Sequence, residues 1–329
     1  MRYLITGGAG FIGSHLADAM LGRGDSVTIL DDLSTGRPEN ISHLLSDSRV
    51  IFRRGSILDQ QVVRDEVERA DVVVHLGAAV GVRLIMERTL ESFVTNIRGT
   101  EIVLEECLRL GRTVLIASTS EVYGKNDQGP LSEDSDRVMG PTFKERWSYA
   151  TSKAADETMA HLYWSKWRLP TITTRLFNCV GPRQTGAYGM VIPRLVRQAL
   201  TGEDLTIYGD GEQRRCFCHV RDTVRGVLAL LDEPRAVGSV FNVGSTEEVN
   251  INELAERVLA ATGSSSRVVH VPYEAAFDPG FEDMRRRLPD ITRIRELVGW
   301  EPSLSLDEIL ADVIAHEKPH INSPAGANP

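Results

Sequence analysis

The sequence predicts an α/β protein: a Rossmann-type doubly wound parallel sheet with a smaller C-terminal α/β substrate lobe. Three observations predict it. Apolar, β-branched runs alternate with stretches of helical length through the first half of the 329-residue chain. A glycine-rich turn follows the first of these runs. After Gly181 the alternation loosens into glycine-rich and charged segments.

The expected strands are "RYLIT" (2–6), "SVTIL" (26–30), "VIFRRG" (50–55), "DVVVHL" (71–76), "TVLIAS" (113–118) and "TITTRL" (171–176). Their near-continuous apolar character fits strands covered on both faces, and right-handed crossovers then give a doubly wound sheet. Beyond them, "GPRQTGAYGM" reads as a loop and 191–201 as a helix. "FCHVRDTVRGVLALLDE" reads as a short strand and a helix, and "VFNVG" (240–244) as a strand returning to the sheet. "NINELAERVLAAT" is amphipathic, with Asn250 placed to cap it, and the last helix is expected near 306–316. The resulting division is a cofactor domain over 1–177 with a returning segment at about 217–244. A ligand-binding lobe covers 178–216 and 245–318, and 319–329 forms a disordered tail.

Composition narrows the function. A net charge of −9 disfavours nucleic acid as a partner, because phosphate neutralisation needs a basic surface. Two local basic clusters, Arg214–Arg215 and Arg285–Arg287, stand out against it. The four cysteines, Cys107, Cys179, Cys216 and Cys218, form neither a disulfide framework nor a zinc pattern, so reduced thiols and no metal are expected. No run of eighteen apolar residues suggests a membrane span, and a strand begins at once at the N-terminus; a cytoplasmic protein is expected.

"TGGAGFIGSHL" places Gly7, Gly10 and Gly13 between a strand and a helix, with Phe11 and Ile12 opening the helix. Such a turn lets backbone approach a pyrophosphate at a helix N-terminus. The second strand ends in Asp31 and Asp32, with Ser34 just beyond. A carboxylate there can hold both ribose hydroxyls and repels a 2′-phosphate, which favours NAD over NADP. Ile57 and Asp59 in "GSILD" are expected near the adenine, Asp59 accepting from its amino group. Leu76 and Ala78 in "HLGAA" end the fourth strand where the dinucleotide would lie close. "YATSK" sets Tyr149 and Lys153 four residues apart on one helix face. A nearby ammonium and a cationic nicotinamide ring would favour the phenolate, a base for a sugar hydroxyl that loses hydride.

With these motifs the chain resembles the extended short-chain dehydrogenases/reductases, in their NAD-dependent nucleotide-sugar epimerase/dehydratase branch, over about residues 1–318. The resemblance implies bound NAD, a UDP-sugar substrate and a homodimer through a helix bundle containing the Tyr149/Lys153 helix. It implies that Thr119 shares the sugar 4-hydroxyl with Tyr149, and that Asn178, Arg215 and Arg287 contact the sugar diphosphate. Tyr208 lies where uridine is bound, and Val191 and Arg194 are taken as substrate-binding with it.

All such enzymes begin by oxidising C4. The Asp-Glu pair of the 4,6-dehydratases is missing after Thr119, where Ser120 and Glu121 stand. That order, with "KERWSYATSK" and "GEQRRCF", resembles the UDP-glucuronate decarboxylases. The expected reaction is C4 oxidation, loss of CO2 from the 4-keto acid and re-reduction to UDP-xylose; the alternative is 4-epimerisation of UDP-glucuronate or UDP-glucose. An arginine that some UDP-glucuronate epimerases carry after "GPRQ" is replaced by Thr185. Arg83 could meet the carboxylate instead. Protonation at C5 is expected from an acid or an ordered water near Ser120, Glu121 and Arg287.

Overall fold

In a computed structural model of the chain, residues 1–79, 88–186, 190–276 and 284–321 are described, and Arg83 lies outside them. The sheet contains β1 (Arg2–Thr6), β2 (Ser26–Asp31), β3 (Val50–Arg54), β4 (Val72–His75), β5 (Thr113–Thr119), β6 (Thr171–Leu176) and β11 (Val240–Val243). Its order is β11-β6-β5-β4-β1-β2-β3, and every pairing is parallel. The order reverses direction between β1 and β4, which opens a crevice at the strands' C-terminal ends.

Helices cover both faces, as the apolar strands require. On one side α1 (Phe11–Gly22) and α6 (Val220–Asp232) bury Leu16, Met20, Val224 and Val227 against Tyr3, Ile5 and Ile29. On the other, α2 (Gln60–Arg69), α3 (Thr89–Leu110) and α4 (Ser148–Trp167) bury Val63, Val67, Ile102, Val103 and Ala160 against Leu4, Leu30, Val73 and Val114. The alternation of Tyr3, Leu4 and Ile5 between the two cores is the strand period made visible. Each fully buried aliphatic side chain contributes about 1.5–3 kcal/mol.

A second cluster sits apart. There α5 (Val191–Thr201), α7 (Ile251–Thr262) and α9 (Leu306–Ile321) pack Leu195, Leu254, Val258, Ile309 and Val313 with Ile207 of β8 (Leu205–Tyr208). Asn250 caps α7 in a full capping box with Glu253, as its side chain suggests. Helix α9 runs on through Pro319 to Ile321. Short strands tie this part together, among them the one expected in "FCHVRD". β9 (Arg214–Cys216) lies between β12 (Glu248–Asn250) and β14 (Arg286–Arg287), and β7 (Cys179–Val180) pairs with β10 (Cys218–His219). All four cysteines are free thiols; Cys179 alone is only part-buried.

Candidate active site

The crevice opens into a cleft of about 1500 Å³ running from the glycine turn to β9 and β14. Gly7, Gly10, Phe11, Ile12 and Gly13 line one end. Gly7 has φ +70°, and a Cβ there would stand 2.8 Å from the backbone nitrogen of Gly77. A Cβ on Gly13 would stand 2.4 Å from the Gly7 carbonyl oxygen, so strand β1 and helix α1 could not close up. Gly10 is the N-cap of α1; no side chain caps it, and the first turn has no acidic residue. Uncapped N–H groups and the positive end of the helix dipole therefore face the cleft and suit a pyrophosphate.

Asp31 accepts from the Ala9 N–H and the Leu33 N–H, both at 2.9 Å, and Asp32 accepts from the Ser34 N–H. Burial pushes the Asp31 carboxyl up, and these donors work against that rise. Asp31, Asp32, Ser34, Ile57, Leu76 and Ala78 all line the cleft. The group of small residues, free helix N-terminus and carboxylate at the end of β2 fits NAD. Asp59, expected near the adenine, is the N-cap of α2, where its Oδ1 accepts from the Gln61 and Val62 N–H, and it is not among the residues that line the cleft. A helix start six residues past the end of β3 needs a cap, and Asp59 fills that need.

Farther in, Thr119 ends β5 and Tyr149 and Lys153 stand on α4, all three lining the cleft. Thr119 Oγ1 accepts from the Glu121 N–H at 3.2 Å, which leaves its own proton to donate. Burial, with Glu121 and Asp156 nearby, pushes the Tyr149 phenol up; the cationic nicotinamide ring that would oppose this comes with the bound cofactor. The ammonium expected to oppose this is engaged elsewhere, since Lys153 Nζ donates to Asp156 Oδ2 at 2.8 Å.

Glu121 faces a cationic wall. Arg146 Nη1 donates to its Oε2 at 2.7 Å, and Arg287 Nη2 lies 3.8 Å from Oε1. Arg287 Nη1 also donates to Ser120 Oγ at 3.3 Å. Burial works to raise the Glu121 carboxyl, but Arg146 and Arg287, with Arg215 beyond them, hold it below the ordinary carboxylate value. The arginines converge because of register: Arg287 of β14 is the direct neighbour of Arg215 on β9. Asn178, at φ +20°, donates to the Cys216 carbonyl at 3.0 Å and lines the cleft with Val191, Arg194 and Tyr208. The Arg194 guanidinium lies 4.6 Å from the Tyr208 ring centroid. Thr185 accepts from Arg37 Nη2 at 3.2 Å, so the Arg37 guanidinium stands beside the position that Thr185 occupies.

Arg146 and Asp156 were missed in the sequence. Arg146 stands in the quoted "KERWSYATSK", three residues before Tyr149, yet nothing in that spacing marks it as Glu121's partner. Asp156 lies three residues past Lys153, a spacing that puts both on one helix face.

The chain is similar to known proteins over most of its length. Residues 3–244 match the model of the NAD dependent epimerase/dehydratase family. The UDP-N-acetyl-alpha-D-glucosaminuronate decarboxylase of Bacillus cytotoxicus is 44% identical over 314 residues, 95% of this chain and 96% of that protein. UDP-glucuronic acid decarboxylase 1 of Xenopus tropicalis is 36% identical over 95% of this chain and 71% of its own. Among solved structures, the UDP-glucuronic acid 4-epimerase of Bacillus cereus, in complex with UDP-glucuronic acid and NAD, superposes with a TM-score of 0.87 at 31% identity, covering 97% of this chain and 99% of that one. With the glycine turn, the Tyr149/Lys153 pair and a match over most of its length, the chain belongs to the NAD dependent epimerase/dehydratase family, among the extended short-chain dehydrogenases/reductases.

Proposed function

We propose that the chain is an NAD-dependent decarboxylase of a UDP-hexuronate, with UDP-glucuronate converted to UDP-xylose. The observation that carries this reading is the Ser120–Glu121–Arg287 group beside Tyr149, together with the two decarboxylase relatives. NAD, when bound, accepts the C4 hydride and later returns it. Gly7, Gly10 and the N-terminus of α1 would hold its pyrophosphate, and Asp31 its adenosine ribose.

Tyr149 takes the proton of the C4 hydroxyl, with the Thr119 hydroxyl fixing that oxygen. The C5–C6 bond of the β-keto acid then breaks, CO2 leaves, and the electron pair moves onto O4. Tyr149, again a phenol, and Thr119 donate to that enolate oxygen. A phenol raised by burial suits this donor task. Glu121 is held ionised by its arginines, so it cannot supply the C5 proton itself. Of the two sources expected, this favours an ordered water, oriented by Glu121 and Ser120. Arg215 and Arg287 are placed to bind the diphosphate as forked donors.

The C2 substituent takes no part in these steps. The 44% identical relative is named for the 2-acetamido sugar, so that uronate is the second substrate to examine. Pure enzyme incubated with each UDP-uronate and analysed by mass spectrometry decides the reading. A product lighter by one CO2 supports decarboxylation. An unchanged mass at a new retention time overturns it in favour of 4-epimerisation.

The same reading takes residues 1–177 and about 217–244 as the cofactor domain, and 178–216 with 245–318 as the UDP-sugar lobe. Apolar side chains exposed on α3 and α4, Leu90, Val94 and Leu162, support a homodimer through those helices. No helix among the described residues is long and apolar enough to cross a membrane. Four free thiols suit a reducing compartment, and we place the chain in the cytoplasm.

A further inference from the structure

Lys153 and Asp156 form a sealed ion pair. The lysine is 3% exposed and the aspartate 0%, and their charged atoms are 2.8 Å apart. A line of polar groups leads to this pair from the sheet. Thr6 Oγ1 accepts from the Gly77 N–H at 3.1 Å and stands 2.7 Å from His75 Nδ1. His75 Nε2 stands 3.1 Å from Thr100 Oγ1. Burial pushes the Asp156 carboxyl up, and Lys153 and the Thr100 hydroxyl work against that rise. Burial keeps His75 neutral, pulled down to about 3. In one tautomer Thr6 then donates to Nδ1 and Nε2–H donates to Thr100.

The other charges facing these groups are few. Glu121 faces Tyr149 from the turn after β5, and Glu157 faces Asp156 from the same helix. Lys153 is the cation of α4 placed between Asp156 and the cleft. A lone buried ammonium would draw the proton off a neighbouring phenol; an ammonium closely paired with a carboxylate presents little net charge.

We propose that Asp156 is a positioning residue: as counter-ion to Lys153, it sets the pH at which Tyr149 acts as the base of C4 oxidation. The arrangement serves a site that needs the phenol in both forms. A permanent phenolate would take the C4 proton but could not donate to the enolate oxygen afterwards. The inference rests on the proposed role of Tyr149, which decarboxylation and 4-epimerisation share.

The test uses NAD-loaded enzyme mixed with a UDP-uronate, following the appearance of reduced nicotinamide in one turnover across pH. In Asp156→Asn the acid limb should move down by about one pH unit, because the freed ammonium favours phenolate. Asp156→Glu, which keeps the charge, should restore the wild-type midpoint. A second readout is independent of turnover. In NAD-loaded protein carrying ¹³C-labelled tyrosine, the Tyr149 resonance, assigned by Tyr149→Phe, should titrate at lower pH in the Asn variant. If Asp156→Asn does not fold, Asp156→Ser carries the same comparison. A rate lowered equally at every pH, with an unmoved midpoint and resonance, overturns the proposal and leaves Asp156 a structural residue. Wild-type enzyme that forms no reduced nicotinamide with either uronate defeats the functional reading instead, and the resonance arm still judges Asp156.

Discussion

The glycine turn at the start of α1 presents backbone N–H groups and no acidic residue in the helix's first turn, whereas at the other end of the cleft three arginines bear on the single carboxylate of Glu121. The first region comes from seven consecutive residues, 7–13, that run from the end of β1 into the first turn of α1. The second draws on the turn after β5, the approach to α4, and strands β9 and β14. The two also differ in cost. Backbone dipoles at a helix N-terminus remain close to water until a ligand arrives. A buried carboxylate is costly unless paired, and its pairs are then costly to break. On the proposed reading, the cradle could serve many reactions, while the wall would select one.

Removing the base should give the largest effect. Tyr149→Phe deletes the group that takes the C4 proton, and general-base loss costs roughly 10²–10⁴-fold in rate. Turnover should fall by that range, while NAD affinity, read by titration calorimetry, stays within about twofold. A variant that keeps its turnover removes Tyr149 from the chemistry. One that loses NAD as well joins the two regions the comparison holds apart.

Next in size is Glu121→Gln. It keeps a hydrogen-bond acceptor for Arg146 but strips the charge opposite two guanidinium groups. Formation of the C5-protonated product should slow by about 10²-fold, with C4 oxidation, followed as reduced nicotinamide, changed far less. Equal slowing of both steps would return Glu121 to a structural role. Stability carries a second sign. The Glu121 carboxyl is held below its unfolded value, so its contribution is present above that unfolded value, about 4.3, and is lost as pH falls through the lower folded one. The Gln variant should be less stable at neutral pH, and its acid melting curve flatter, than wild type.

The same contrast explains what the sequence made legible. β1, the turn and α1 are adjacent, so Gly7, Gly10 and Gly13 can be read from spacing alone, and the strand runs of the sheet from their apolar, β-branched composition. Asp31 was readable because it ends a strand in that frame. Asp59 misled because a carboxylate after a strand can equally cap the next helix, and spacing does not separate the two. Arg146 was in plain view beside Tyr149, yet its partner lies 25 residues away and only tertiary packing joins them. Arg215 and Arg287 were reachable only through family resemblance, since their meeting depends on the pairing of two short strands. The surroundings of Tyr149 follow the same rule. The spacing of Lys153 was visible, but a neighbour's charge counts only after its own counter-ion, Asp156, is known.

The smallest effect tests the cradle itself. Gly13→Ala adds one methyl group where a Cβ would stand 2.4 Å from the Gly7 carbonyl oxygen and 2.7 Å from the Gly8 Cα. Both are backbone atoms, so no side chain can swing aside; the first turn of α1 must move away from β1. Overpacking of this kind costs about 1–3 kcal/mol. Because α1 carries the N–H groups aimed at the pyrophosphate, its shift should weaken NAD binding by roughly tenfold, since about 1.4 kcal/mol of lost complementarity corresponds to that factor. The charged wall is assembled without α1, so the ion pair of Glu121 and Arg146 should persist, and saturating NAD should bring turnover back to near the wild-type rate. Thermal melting with and without NAD, beside turnover at rising NAD, reads all three. A variant whose rate stays low at saturating NAD would mean that the position of α1 governs the chemistry as well, and the two ends of the cleft would then be one mechanical unit.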